Sequence, residues 1–405
     1  MQIFPTFTPF GLYIHIPWCP TRCIYCDFNT YIDAGGDLKT RYHLALLREI
    51  REAAAALEHP PVDTLFFGGG TPTTLPAGQL VELVEAVKAN FQLHPAAEIT
   101  IEANPGTLSV DYLRRLRQAG INRLSLGVQS FNEDELTFLS RLHNADTARQ
   151  AVEHTRTAGF ENVSLDLIFN LPRQNLAQWQ FNLHEALKLG PDHLSIYSLI
   201  VEPGTPLHRQ ISQGLVPHPD DDLAADMYAA TIDTLGSAGY FHYEISNWAR
   251  ANGKISDWQT PSLASGHNLI YWRNQPYLGL GAGAYGTINS QRWANVKRPQ
   301  SYVSRIESGG GLGLARDENT LEEIDRETSM MEHMMLGLRL VREGVRAADF
   351  EARFGIPLEK KFGQAIALGL DRQLLEWLDT SAGACLRLTG AGRFLANQAV
   401  MLFMP

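Results

Sequence analysis

Cysteine is scarce in this chain: four residues in 405, far too few for a disulfide scaffold. Basic residues are in deficit as well, with 34 Lys and Arg against 44 Asp and Glu and a formal net charge of −10. That excludes a general electrostatic grip on nucleic acid, which needs clustered positive charge, although a small local basic pocket stays open. No stretch reaches the roughly 18 uninterrupted apolar residues that would span a bilayer. The start, Met1 to Phe10, contains no basic residue and two prolines, and lacks the pattern of a signal peptide. A hydrophobic fraction of 44% and a charged fraction of 19% are ordinary for globular chains and exclude collagen, coiled coil and wholesale disorder. The chain reads as soluble and cytoplasmic, in a reducing compartment where thiolates can bind metal. Its length suits two or three domains, or one large α/β barrel with an appendage.

The first half alternates short apolar runs with helical patterns. Strands are expected at Leu12–Ile16, Thr64–Phe67, Glu98–Glu102, Arg123–Val128, Val163–Ile168 and His193–Leu199. Between and after them, helices are expected at Leu38–Leu57, Gly78–Asn90, Ser109–Ala119, Asp146–Ala158, Leu176–Leu189 and Asp222–Ser237. Ser109 and Asp146 look like helix starts, and Gly120, Gly159 and Gly239 like stops. Repeated strand and helix imply a parallel sheet with helical crossovers. A closed barrel of this kind needs about eight units, so an incomplete barrel and an open doubly wound sheet both remain. Tyr240 to Gly286 is richer in Tyr, Trp, Asn and Gly and weakly periodic. Gly309-Gly310-Gly311 looks like a flexible boundary. Beyond it, helices are expected at Glu322–Arg342, Ala347–Phe354 and Leu358–Trp377, then a short strand near Leu386–Leu388 and a helix from Gly390 to Ala399. The resulting division is 1–240, a connecting segment 241–308, and an α-rich, winged-helix-like domain 309–405.

Three of the four cysteines fall together in Cys19-Pro20-Thr21-Arg22-Cys23-Ile24-Tyr25-Cys26, a C-x-x-x-C-x-x-C run just after the first strand. Zinc usually takes four protein ligands, and Cys385, the remaining thiol, lies in the other expected domain. Thioredoxin-like chemistry uses two cysteines and leaves the third idle. Iron–sulfur clusters are held by thiolates, and three of them leave one iron of a cubane open. The spacing favours the cluster over zinc or redox thiols. Phe67-Gly68-Gly69-Gly70-Thr71-Pro72 ends the second strand, where consecutive glycines can let backbone N–H groups face a ligand or simply form a tight turn. Glu102, Gln129 and Asp166 are polar residues at the ends of successive apolar strands, costly to bury unless they bind something or satisfy one another. Met330-Met331 and Met334-Met335 read as soft core or interface, Cys385 as a buried structural thiol, and Asp220-Asp221-Asp222 as a helix start.

The cysteine run, with Tyr25 before its last cysteine, resembles the radical S-adenosylmethionine (SAM) superfamily. In that family the open iron chelates the amino and carboxylate groups of SAM, and one electron splits the sulfonium to give a deoxyadenosyl radical. The resemblance implies a partial six-unit barrel, a 4Fe–4S cluster on Cys19, Cys23 and Cys26, and SAM. It places Gly69, Gly70, Thr71, Glu102, Gln129, Arg141 and Asp166 around SAM, with Tyr13 and Tyr25 lining the same pocket.

Within the superfamily, Tyr13-Ile14-His15-Ile16-Pro17-Trp18-Cys19, Gly127-Val128-Gln129-Ser130-Phe131, Ile196-Tyr197-Ser198-Leu199 and Glu202-Pro203-Gly204-Thr205 resemble the oxygen-independent coproporphyrinogen III oxidase-like group. Its true oxidases carry a further cysteine two positions after the third ligand, where this chain has Phe28, and a longer segment ahead of the motif than the 18 residues present here. His267-Asn268-Leu269-Ile270-Tyr271-Trp272 matches instead an H-N-x-x-Y-W motif of the group's heme-chaperone branch. A neutral imidazole is a good heme ligand, and Tyr and Trp offer apolar faces with polar edges. Glycines from Gly279 to Gly286 could let a flat ligand approach the backbone. The expectation is a heme-binding chaperone using His267, Asn268, Tyr271 and Trp272, rather than an enzyme. Its partners would be heme and heme-acceptor proteins, membrane-associated ones included, with dimerisation and a peripheral place at the membrane among its options. The alternatives are a SAM-cleaving coproporphyrinogen III oxidase and a purely structural iron–sulfur module.

Overall fold

The computed structural model describes residues 9–32, 36–309 and 312–404. Gly310 and Gly311 of the expected boundary lie outside the described residues. The chain folds into two interleaved compact units, one of residues 1–231 and 276–322, the other of residues 232–275 and 323–405. The stretch 241–308, expected as one connecting segment, is thus divided between them.

In the first unit all six expected strands form: β1 (Gly11–Ile16), β2 (Pro61–Gly69), β3 (Gln92–Ala103), β4 (Arg123–Gln129), β5 (Asn162–Phe169) and β6 (His193–Ser198). They pair in parallel, in sequence order. A doubly wound sheet would reverse direction at a switch point; this one does not, which decides for the partial-barrel plan. The crossovers are α1 (Gly36–Ala56), α2 (Ala77–Asn90), α3 (Val110–Gln118), a short α4 (Glu133–Phe138), α5 (Ala145–Thr157) and α6 (Leu176–Lys188). Ser109 caps α3 as expected. The cap of α5 is Asn144, accepting from Thr147 N, rather than Asp146. Gly120, Gly159 and Gly239 follow helix ends with φ of 102°, 91° and 84°, the left-handed region glycine tolerates.

Three further strands, Tyr277–Leu280, Tyr285–Ile288 and Gln291–Ala294, extend this sheet beyond β1, the first of them parallel to it. They were not expected, because each is only four residues long and its partner is remote in sequence. The glycines around them let the chain pack on itself. A Cβ on Gly279 would sit 2.0 Å from Tyr285 O, and one on Gly283 (φ +75°) 2.4 Å from Asn29 Nδ2. At these two positions the missing side chains make room for the chain itself.

The second unit holds a hairpin of Phe241–Glu244 and Asn247–Ala249, a helix Gly266–Trp272, and the C-terminal part. There, helices Arg326–Gly337, Ala347–Phe354 and Leu358–Asp371 pack on an antiparallel sheet of Val345–Arg346, Gly383–Leu388 and Leu375–Thr380. The expected helix through Trp377 stops at Asp371. Leu375 and Trp377 alternate toward the core as a strand opposite Leu388 and Leu386. Met330 and Met334 belong to this core, and Cys385 is buried at 1% exposure on the same strand as the core residues Leu386 and Leu388. No helix among the described residues is long and apolar enough to cross a membrane.

Candidate functional site

The expected cofactor residues of the first unit meet where the parallel strands end. Tyr13 of β1, Gly69 of β2, Glu102 of β3, Gly127 and Gln129 of β4 and Asp166 of β5 are partly accessible among mostly buried neighbours, and Gly68 of β2 is buried beside them. Register brings them together: Tyr13 lies beside Phe66, Glu102 beside Ser125, and Asp166 between Gly127 and Ser195. Gln129 has φ +70° and sits at a bulge in the β4–β5 pairing, a device that re-aims a side chain. Ser130 after it is buried and donates to Glu135 Oε2 at 2.6 Å, fixing that corner.

The cysteine loop lies against the glycine turn. Gly70 N donates to Ile16 O and Thr71 N to Trp18 O, both at 2.8 Å, while Gly69 N donates to Glu102 Oε2 at 3.2 Å. Of the two readings of the run, N–H groups facing a ligand or a tight turn, the hydrogen bonds fit the turn: all three N–H groups are used within the chain. A ligand amino group needs acceptors instead, which carbonyls and the Thr71 hydroxyl can supply. A Cβ on Gly68 would stand 3.0 Å from both Glu102 Oε2 and Tyr13 Cε2, so its absence keeps open the space between those two side chains. Gly68 was missed in the sequence because its neighbours looked equivalent.

Arg141, which alone would read as a surface residue, turns inward. It donates through Nη1 to Cys23 Sγ at 3.4 Å and through Nη2 to Gly127 O at 2.5 Å, and also to Asn104 Oδ1. Asn104 in turn donates to Thr71 Oγ1 at 3.1 Å, and Thr71 Oγ1 lies 3.6 Å from Cys19 Sγ. His15 joins the loop to the strand: Nε2–H donates to Asn29 O at 2.9 Å, which leaves Nδ1 to accept from Tyr13 OH at 2.9 Å. Burial holds the His15 imidazole below its ordinary pKa. Asn29 then donates to Ala282 O and Lys297 O, both at 3.0 Å. The Glu-Pro-Gly-Thr turn also serves this loop, since Leu207 N donates to Ile24 O at 3.0 Å and Leu207 packs with Ile24 and Tyr25. Phe28, at the discriminating position, is 66% exposed.

Glu102 and Asp166 share one polar patch. Burial and the nearby Asp166 charge push the Glu102 carboxyl up to about 8 against the pull of Gly69 N–H and Arg123. Burial also raises Asp166, opposed by hydrogen bonds from Ser125 and Ser195. Arg123, Ser125 and Ser195 carried no sequence signal of this role, which arises only from strand register.

In the second unit, His267 is 1% exposed on a helix capped by Ser265. Its Nε2 shares a hydrogen bond of 2.9 Å with Tyr271 OH, the rings meeting edge-on at 5.0 Å. Trp272 packs against Tyr243, Leu269 and Leu340 with a buried Nε1 that has no hydrogen-bond partner. Asn268 donates its backbone N–H to Ser265 Oγ.

A family model of the radical SAM superfamily matches residues 13–184, and one of the HemN C-terminal domain matches residues 324–395. The heme chaperone HemW of Mycobacterium tuberculosis is 38% identical over 394 residues, 97% of this chain and 94% of that protein. That of Bacillus subtilis is 36% identical over 395 residues, 97% and 98% of the two chains. The chain belongs to the HemW family of radical SAM proteins. Among solved structures, coproporphyrinogen III oxidase (HemN) from Escherichia coli superposes with a TM-score of 0.79 at 25% identity, covering 98% of this chain and 90% of that one. The radical SAM partial barrel followed by a C-terminal domain, expected from the sequence, is thereby shown.

Radical SAM membership implies a 4Fe–4S cluster and SAM, and the residues of this HemW-family chain fit both. Cys19, Cys23 and Cys26 are half-buried free thiols on one loop, close enough to influence one another electrostatically. Burial pushes the Cys19 and Cys26 thiols up, so metal binding must displace their protons. Among the described residues no three His, Cys, Asp or Glu side chains converge on one ion position. A cubane asks for something different, one thiolate on each of three irons. Arg141 adds a positive charge and a buried Nε with no hydrogen-bond partner.

The Glu102 shift has a measurable consequence. The folded chain keeps this proton after the unfolded chain has lost it, so the contribution is present at low pH and lost as pH rises through the raised pKa. Between about pH 5 and about pH 8, the thermal midpoint of the cluster-free wild type is expected to fall relative to that of Glu102→Gln. A constant difference across that range would contradict the assignment.

Proposed function

We propose that this chain is a heme chaperone. It holds heme on the unit carrying the His267–Trp272 helix and passes it to heme-dependent acceptors, respiratory proteins among them. The observation that carries this reading is full-length similarity to proteins named heme chaperones, with the H-N-x-x-Y-W motif complete on one helix. Cys19, Cys23 and Cys26 would hold the cluster, and Tyr13, Tyr25, Gly69, Gly70, Thr71, Glu102, Gln129, Arg141 and Asp166 would line the SAM pocket. The bound cluster supplies one-electron chemistry at SAM, used here to regulate heme transfer or dimerisation. Work in the cytoplasm, with visits to the membrane surface to meet acceptors, goes with that role.

His267, Asn268, Tyr271 and Trp272 would form the heme site. To ligate iron, His267 Nε2 must exchange its hydrogen bond with Tyr271 OH, which lies on the same helix face and can then serve a propionate. An anoxic titration followed by the Soret band tests this. Wild type is expected to bind heme, and His267→Ala to bind at least about tenfold more weakly with a shifted band. Unchanged affinity and spectrum in the variant would remove His267 as ligand. The HemN likeness keeps one rival reading alive, oxidative decarboxylation of coproporphyrinogen III; exposed Phe28, in place of the oxidase's further cysteine, weighs against it.

A further inference from the structure

Next to the His267–Trp272 helix, the second unit contains a group of buried polar atoms that the heme motif does not account for. Arg339 lies just past the end of helix Arg326–Gly337, with its guanidinium over the Trp272 ring, 4.4 Å from the centroid. The Arg339 Nε and Trp272 Nε1 donors are both buried and make no hydrogen bond. The nearest carboxylate, Glu244 Oε2, stands 3.8 Å from Arg339 Nη2, outside hydrogen-bond range. Glu244 is itself fully buried, and its other oxygen is taken by Asn247 Nδ2.

Buried polar groups are normally satisfied, and those that are not call for a specific reason. Here two donors are left over around one aromatic ring, and the guanidinium has five N–H groups in a fixed fork suited to a carboxylate. The Arg339 side chain keeps 28% exposure, so an anion can reach it from solvent. Of the motif's residues, Trp272 touches this arginine directly, and His267 lies five positions earlier on the same helix.

We propose that Arg339, with Trp272 Nε1–H as a second donor, receives a propionate of the heme and so fixes the orientation of the porphyrin on this helix. The assignment rests on the heme-chaperone reading and adds to it a residue outside the H-N-x-x-Y-W motif. Glu244 holds the guanidinium loosely over Trp272 until the ligand carboxylate replaces it.

The test compares heme with heme dimethyl ester, whose propionates are esterified and uncharged, in Soret titrations of wild type, Arg339→Gln and Arg339→Lys. Esterification is expected to weaken wild-type binding about tenfold or more. Arg339→Gln is expected to weaken heme by a similar factor and to bring the heme-to-ester ratio close to one, while Arg339→Lys keeps part of the preference. A wild-type ratio near one overturns the proposal without any variant, whether or not Arg339→Gln folds. So does a ratio in Arg339→Gln equal to that of wild type. If wild type binds neither compound, the chaperone reading falls together with the Arg339 assignment. Heme binding with an unchanged ratio removes Arg339 alone.

Discussion

Cys19→Ser, Cys23→Ser and Cys26→Ser are each expected to strip the chain of reconstituted iron, whereas Cys385→Ser keeps it. The three loop thiols share one electrostatic neighbourhood and one anchoring system. Cys23 is backed by Arg141, Cys19 by Thr71, and the loop by Asn29 and Leu207. Each thiolate would take a different iron, so loss of one would leave a cluster with two protein ligands. Altering only an outer-shell partner typically costs about ten- to a hundredfold in metal affinity. Retained iron and sulfide after gel filtration are therefore expected to fall by more than about tenfold in each of the three variants. Cys385 is buried in the other unit, paired in the sheet with Leu378 and Arg346, and its replacement is expected to cost stability but no iron. Equal iron in Cys23→Ser and Cys385→Ser would disprove the three-plus-one division of the cysteines.

Gly70→Ala is expected to be nearly as damaging by a different route. The added Cβ would stand 2.6 Å from Trp18 O and 2.9 Å from Pro17 C. Both are backbone atoms of the segment entering the cysteine loop, so no side-chain rotation relieves the contact. Two hydrogen bonds cross the same junction, Gly70 N to Ile16 O and Thr71 N to Trp18 O, and separation lengthens both. Overpacking of this kind costs about 1–3 kcal/mol, to which the weakened hydrogen bonds add about 1 kcal/mol each. A lowered thermal midpoint of the cluster-free protein and reduced cluster retention are expected together. Gly159→Ala is the informative comparison. Its φ of +91° is unfavourable for alanine, but nothing lies within 4 Å of the added Cβ, so it should lower the midpoint without affecting cluster retention. Full retention by Gly70→Ala would show that the glycine turn does not brace the loop.

How much of this was legible in the sequence depended on whether a role was local. The six parallel strands were readable because strands buried on both faces write themselves as short apolar runs. The cysteine triplet was readable because its spacing carries its chemistry, while the His267–Trp272 motif was readable only through the family resemblance. His15, Asn104, Ser125 and Ser195 were different, and Arg141 was named only through the family resemblance. Each gains its role from a partner many residues away, as when Arg141 reaches Cys23 and Gly127, and no single-segment pattern encodes that. The glycines from Gly279 to Gly286 were ambiguous for a related reason. Small residues signal a close approach without saying of what, and here the approaching group is the chain's own Tyr285, Tyr42 and Asn29. In the C-terminal part, Leu374, Leu375 and Trp377 continued the apolar content of the preceding helix, which hid the change from helical to alternating period at the turn near Gln373.

The central claim, a heme carrier built on a radical SAM scaffold, is tested most directly by offering both tetrapyrroles to the same preparation. The reconstituted chain, with SAM and a one-electron reductant under anoxia, is incubated with heme in one cell and with coproporphyrinogen III in another. The expected result is a Soret band of protein-bound heme in the first cell and unchanged coproporphyrinogen in the second. Protoporphyrinogen accumulating in the second cell, with no bound heme in the first, would contradict the claim and make the chain an oxidase.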